Sequence, residues 1–206
     1  MTARKPASLG GRWTLLLIFI LFLLPVVAAW IMNFGSGGWK PKDTTNHGRL
    51  ITPPRPLPAV SLAGPEGDFL PADFLKQKWT LVYLHAGRCA QSCQQNLYKM
   101  RQARLAQGKN LDRVQRLLVV ADRDAGALDK QLQAAWPGLV IAQPVGERAS
   151  EFLEQFRLSA DEPLAAQERI YLVDPYGNLM MSYESDAEPG GILKDLEHLL
   201  KWSPGG

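Results

Sequence analysis

Lys78-Trp-Thr-Leu-Val-Tyr-Leu-His85-Ala-Gly-Arg88-Cys89-Ala-Gln-Ser-Cys93-Gln-Gln-Asn-Leu97 decides how this chain reads. Thr80 to Leu84 has the apolar, β-branched content of a buried strand, and Ala86-Gly87 is a short turn. A helix is expected to open around Cys89. Helical spacing sets in at the second cysteine, because Cys93, Leu97, Met100 and Ala103 step along one face. The chain has no other cysteine than this pair. A helix start offers unpaired backbone N–H groups and the positive end of the macrodipole. Both favour a thiolate over a thiol, and Arg88 adds a positive charge beside Cys89.

Two readings of the pair compete. One is an inert local staple or two unrelated core thiols. A bridge closing so short a loop removes only about 2 kcal/mol of unfolded-state entropy, and structural bridges more usefully tie distant segments. The other is redox or soft-metal chemistry, which needs two sulfurs within reach of each other. Residues four apart at a helical turn fall within the Cα separation that a disulfide tolerates.

Composition narrows the classes. A chain of 206 residues accommodates one folded domain with extensions. Its formal charge of +3 arises from Lys and Arg scattered among Asp and Glu. No basic stripe with interleaved aromatics occurs, so nucleic acid is not an expected partner. Three histidines and two cysteines are too few for the usual zinc modules. There is no internal repeat, phosphate-binding glycine loop or GxSxG motif.

The N-terminal third organises around a membrane. Residues 1–12 hold Arg4, Lys5 and Arg12 and no acid, and Trp13 to Trp39 contains no charge. Leu15 to Ile31 is apolar over about the length needed to cross a hydrocarbon core. Trp13 and Trp30 stand where interfacial aromatics belong. Pro25 is tolerable within a membrane helix. The basic leader places the N-terminus in the cytoplasm and all that follows outside. A cleavable signal peptide, with Val27 and Ala29 before the cut, is the competing reading. The run is longer than an ordinary signal core, and no clear Ala-x-Ala follows it. Under either reading the domain lies where a disulfide persists. The expected organisation is a leader at 1–12, an anchor at 13–34, a Gly/Pro-rich linker at 35–58 and a domain at 59–203. Prolines 41, 53, 54, 56 and 58 make the linker a semi-rigid spacer, with His47 solvated within it.

Within the domain, Gly64-Pro-Glu-Gly67 marks a turn between two short extended runs. The helix after the cysteines ends near Gly108. Arg116 to Ala121 reads as a fully buried strand. Asp124 caps a helix carrying Leu128, Leu132, Ala135 and Trp136, stopped by Pro137-Gly138. A strand over Leu139 to Ala142 and a helix over Glu147 to Arg157 follow. Arg169 to Asp174 and Asn178 to Tyr183 form a hairpin about Pro-Tyr-Gly177. A last helix begins at Gly190-Gly191 and shows an apolar face of Ile192, Leu193, Leu196, Leu199 and Leu200. This order predicts an α/β fold, a mixed central sheet with helices on both faces, preceded by one transmembrane helix.

The strand–turn–Cys-x-x-x-Cys arrangement, together with Val120-Ala-Asp122-Arg-Asp124 and Ile170-Tyr-Leu-Val-Asp174-Pro-Tyr-Gly177, resembles the Sco/SenC family. Those are membrane-anchored thioredoxin-like proteins that assist copper delivery to cytochrome c oxidase. The resemblance implies a thioredoxin-like fold, a bacterial inner-membrane anchor and a domain in the periplasm. It also implies a partner in cytochrome c oxidase subunit II or a copper chaperone. Copper is the metal it implies; the residues themselves call for no other cofactor. This chain departs from the family at three places. Ala90 and Gln94 follow the cysteines where prolines are usual. Ala166 falls where the family's histidine ligand stands, and no proline directly precedes Ile170. Two sulfurs suit linear Cu(I), whereas Cu(II) needs nitrogen or oxygen donors. His85, Cys89 and Cys93 form the alternative ligand set. Loss of the histidine moves the expectation toward thiol–disulfide exchange, with Cys89 attacking and Cys93 resolving. The alternatives are a Cu(I) carrier and a scaffold that holds a partner through the Asp122 loop.

Overall fold

The computed structural model describes residues 11–34, 45–87, 89–121, 132–159, 163–164 and 168–203. Arg88, Asp122, Arg123, Asp124, Leu128 and Ala166 lie outside that set. So do the expectations that rest on them. The chain divides into two units, residues 1–45 and 46–206.

In the first unit, helix α1 spans Gly11–Phe34 with Pro25 inside it. The window Gly11–Trp30 has a mean hydropathy of 2.5 and none of it is buried. By length and composition α1 is able to cross a membrane.

The second unit is built on strand β3, Trp79–His85, in which every residue but the last is buried. Such a run is buried on both faces and therefore lies inside a sheet. Around it stand β1 (Arg49–Pro56), β2 (Ser61–Ala63), β4 (Val114–Val120), β5 (Leu139–Val145), β6 (Ile170–Val173) and β7 (Asn178–Tyr183). Among the described residues α2 (Gln91–Leu105), α3 (Ala149–Glu154) and α4 (Pro189–Trp202) accompany them, with a 3-10 helix at Gly108–Arg113 and a helical segment at 132–135. Among the described residues the sheet order is β1-β7-β6-β3-β4-β5-β2. Strand β3 runs parallel to β4, with Val82 opposite Leu117, and antiparallel to β6, with Val82 opposite Tyr171. The sheet is therefore mixed, as the element order predicts.

Alternation along the strands sends side chains to two cores. Leu81, Tyr83, Leu118, Val120, Ile170 and Leu172 pack with Cys93, Leu97 and Met100 of α2 and with Ile192 and Leu196 of α4. Val82, Leu84, Leu117, Val119, Tyr171 and Val173 pack with Phe152 and Phe156. Helical segments thus cover both faces. Phe156 joins its neighbours edge-on, with ring centroids 5.3 Å from Phe152 and 5.2 Å from Tyr171.

The structure corrects several boundaries. Residues 46–58 are not spacer: Arg49–Pro56 is an edge strand paired with β7, its register shifting between Leu50 and Arg55. Pro53, Pro54 and Pro56 are compatible with a strand only because it has an open side, where no ladder hydrogen bond is lost. Arg55 ties that strand down by donating from Nη1 to the carbonyls of Gln155 and Arg157 at 2.9 and 2.8 Å. His47 is not simply solvated either. Its backbone N–H donates to both Asp195 carboxylate oxygens, at 3.0 and 3.1 Å, and Gly48 N–H donates to Oδ2 at 2.8 Å. Elsewhere β5 continues to Val145, and the helix expected over 147–157 is regular only at Ala149–Glu154. The turn at 64–67 carries β2 to an isolated bridge between Ala63 and Phe69, while β2 itself pairs with β5.

Candidate functional site

Strand β3 ends at His85, whose carbonyl accepts a hydrogen bond from Ala121 N–H at 2.9 Å. That bond locks the exits of β3 and β4 together, so the chain leaves the sheet at a defined point. Gly87 follows with φ +77°, a left-handed conformation that a side chain would strain. Cys89 lies beyond that bend, and α2 begins at Gln91 with Ala90 as its N-cap, two residues later than the opening expected around Cys89. Cys89 is therefore a turn residue, and Cys93 lies within the first helical turn.

The two sulfurs form a disulfide, with the Cα atoms 5.1 Å apart. Their surroundings differ sharply. Cys93 is fully buried in the core beneath α2, whereas Cys89 is half-buried and packs against that core from its rim. In such a pair the outer sulfur is open to attack and the inner one is shielded. Ala90 supplies no side-chain cap, and the first turn of α2 contains no acid. Its start therefore keeps free backbone donors and an uncompensated positive end.

An acid arrives from elsewhere in the chain. Glu168, just before β6, accepts a 2.6 Å hydrogen bond on Oε1 from the Ser92 hydroxyl, between the two cysteines. Its carbonyl accepts another from the Asn96 side-chain amide at 3.0 Å. Asn96 is buried, and so is Tyr83 beneath it. Burial pushes the Tyr83 hydroxyl pKa up; Asn96 tempers the rise and the Glu168 charge adds to it. Sequence reasoning passed over Glu168. The only local signal is a polar residue directly before an apolar strand, which has no unique meaning.

His85 sits on the same side of β3 as Tyr83, their rings stacked at 6.0 Å between centroids. Its buried Nε2 finds no hydrogen-bond partner among the described residues. Among the described residues, however, no three His, Cys, Asp or Glu side chains gather into a metal-ligand set. The two cysteines are joined to each other as a disulfide, so the alternative set of His85, Cys89 and Cys93 would need the reduced pair. The donors brought together are two sulfurs, which as thiolates fit linear Cu(I) and not a tetragonal Cu(II) site.

A second polar cluster lies on α4. Asp195 has a side chain only 3% exposed, and it receives the His47 and Gly48 N–H groups with His47 Nδ1 at 3.2 Å. Tyr183 packs nearby, its hydroxyl pKa pushed far up by burial and by the charge of Asp195.

A comparison with curated proteins finds no match to this sequence. Solved structures share the fold. ScoI of Bradyrhizobium japonicum with copper bound superposes at a TM-score of 0.56, with 20% identity over 70% of this chain and 99% of that one. BsSco, described as a member of the Sco family of cytochrome c oxidase assembly proteins with a disulfide switch, gives 0.54 and 16% identity over 75% and 100%. The thioredoxin domain of a thiol-disulfide oxidoreductase from Bacteroides vulgatus gives 0.51 and 16% over 69% and 94%. At these identities the likeness is one of fold, and that fold fits the Sco proteins. A family model described as a transmembrane-like, thioredoxin-like, C-terminal domain matches residues 79–203, from the first residue of β3 to just past α4. With strand, cysteine turn, hairpin and closing helix all inside that match, the chain belongs to this transmembrane-like, thioredoxin-like family.

Proposed function

We propose that this protein is a membrane-anchored, periplasm-facing thiol–disulfide exchange protein that assists assembly of the copper centre of cytochrome c oxidase. The observation that carries the reading is the asymmetry of one disulfide: Cys89 half-exposed in the turn, Cys93 buried in the first turn of α2. In the reduced protein, the Cys89 thiolate attacks one sulfur of a target disulfide. The target S–S bond breaks, one target thiolate leaves, and a mixed disulfide forms. Cys93, as thiolate, then attacks Cys89 and expels the second target thiolate. Two electrons pass to the target, and the pair ends as the disulfide described above. A dithiol reductant must restore it. The target is a cysteine pair of subunit II or of a copper chaperone, by analogy with the oxidase-assembly description of BsSco.

Trapping tests this directly. Cys93→Ser should accumulate mixed disulfides through Cys89, and Cys89 in the reduced wild type should alkylate faster than Cys93 near neutral pH. Equal, sluggish alkylation with no mixed disulfide would return the pair to an inert staple. Orientation is tested separately with alkaline phosphatase fused to the C-terminus. Activity supports export of the domain; an inactive fusion in an intact membrane protein refutes it.

A second reading has its own support. The same two sulfurs, once reduced, are adjacent donors for Cu(I), and ScoI shares this fold with copper bound. On this reading copper is cargo. Cu(I) should bind through the two sulfurs alone, with an affinity nearly unchanged by His85→Ala. Tight Cu(II) binding lost on His85→Ala would overturn that ligand assignment.

A further inference from the structure

Glu168 has φ +40°, one of two non-glycine residues with positive φ among those described. Its side chain excludes it from easy occupancy of that region, and such a conformation persists only where the surroundings over-determine it. Both of its anchors lie on the redox helix. Ser92 holds the carboxylate and Asn96 holds the carbonyl, across sequence separations of 76 and 72. Ser92 stands inside the five-residue loop that the disulfide closes, and Asn96 is one turn further on. A strained residue is therefore strapped to the segment whose covalent state changes in the reaction.

The geometry points to Glu168 as a positioning residue that sets the redox poise of the Cys89–Cys93 couple. Its strap to the first turn of α2 is made in the disulfide form and weakened in the dithiol form. The inference rests on the exchange reading above. In the disulfide form the Cα atoms of residues 89 and 93 are drawn to 5.1 Å. Two separate thiols take up van der Waals distance instead, so the turn relaxes and Ser92 moves with it. A 2.6 Å hydrogen bond to a strained partner has little slack to follow. An interaction stronger in one state stabilises that state by the difference. The strap accordingly favours the disulfide, lowers the reduction potential and suits a protein that gives electrons away.

Equilibration with glutathione measures this. The protein disulfide and two glutathione thiols yield the protein dithiol and one glutathione disulfide. Two electrons enter the Cys89–Cys93 bond and two protons pass to those sulfurs. The full-length chain is used in detergent micelles as wild type, Ser92→Ala, Glu168→Gln and Glu168→Ala. Oxidised and reduced fractions are read by alkylation with a mass tag. Ser92→Ala should shift the equilibrium about tenfold toward the dithiol, a rise of ~30 mV in potential. Glu168→Gln should shift it less, because the amide oxygen still accepts from Ser92. Hydrogen exchange of the wild type should show amides 168–170 less protected after reduction. In Ser92→Ala that redox difference should shrink. Thermal unfolding accompanies each variant, and if Ser92→Ala is poorly folded, Glu168→Ala, which removes the acceptor of the same bond, decides. Equilibrium constants within twofold of wild type, with equal protection in both states, would overturn the strap while leaving exchange intact. Failure of the wild type to equilibrate with glutathione at all would overturn the exchange reading itself.

Discussion

Asp195→Asn is the sharpest perturbation available outside the cysteine turn, because the substitution keeps the shape and removes the charge and one of two acceptor oxygens. The carboxylate takes the His47 N–H at 3.0 and 3.1 Å and the Gly48 N–H at 2.8 Å, with His47 Nδ1 at 3.2 Å. Asparagine retains one acceptor oxygen and turns an NH2 group toward a second backbone donor. One charge-assisted bond is lost, about 1.5–3 kcal/mol, and a buried N–H is left facing a donor. The expected loss is about 3 kcal/mol, which for a domain of this size lowers Tm by roughly 6–12 °C. Asp195→Ala should cost about 3–5 kcal/mol, since both N–H groups then go unmet. The damage should also be local, because these bonds hold the residues that lead into β1. Hydrogen exchange should show Leu50 and Ile51 exposed before the centre of the sheet opens. Chemical denaturation gives the first number and exchange the second. A loss under about 0.5 kcal/mol, with β1 as protected as in the wild type, would refute the claim that Asp195 pins the start of the domain.

Other outcomes follow from the same coordinates. Gly48→Ala places a Cβ 2.6 Å from Tyr183 Cε1 and 2.7 Å from the Met181 side chain, so it should destabilise by about 1–3 kcal/mol in urea unfolding. Arg116 is 2% exposed, and among the described residues two of its guanidinium nitrogens find no partner, while Nη2 donates to the Pro137 carbonyl. Burial, with the charges of Arg104 and Arg101, lowers its pKa to about 10, so Arg116→Met should be neutral or stabilising by about 1–2 kcal/mol. For the same group the sign of the alkaline effect is fixed. The unfolded chain holds that proton to higher pH than the folded one, so Arg116 makes stability rise as pH climbs from about 10 toward 12.5, and Arg116→Met should abolish that component. Tyr83 and Tyr183 act oppositely. Their folded pKa values are raised above 10.0, so their contribution is intact below pH 10 and falls beyond it. In an absorbance titration Tyr83 and Tyr183 should ionise at higher pH than an exposed tyrosine. Tyr83→Phe should remove one of that pair.

Much of the fold was legible from local pattern. The run from Trp79 to His85 is too uniformly apolar for anything but an interior strand, and it is one. The spacing of Cys93, Leu97, Met100 and Ala103 names the buried face of α2, and all four are buried there. Pro-Tyr-Gly177 between two apolar runs could only be a turn, and Ile170–Val173 pairs with Asn178–Tyr183 across it. These features depend on neighbours within a few residues, which is the range over which periodicity and turn chemistry carry information.

What local pattern misjudged was decided by partners far away in sequence. Arg49–Pro56 has a linker's composition, and it becomes a strand because β7 presents an edge and because Asp195 collects the N–H groups of His47 and Gly48. A proline-rich segment contains no record of whether such an edge is free. Glu168 shows the same limit at the cysteine site. The residues of the pair, and their order of exposure, follow from a strand, a turn and a helix read in sequence. The carboxylate beside them is 76 residues from Ser92 and reaches the helix only when β6 is laid against β3. Sequence alone thus determined the apolar N-terminal helix, the order of strands from β3 onward and the two sulfurs, since each rests on short-range spacing. Tertiary structure alone decided where the domain begins and which acid faces the cysteine turn, since each depends on a long-range pairing.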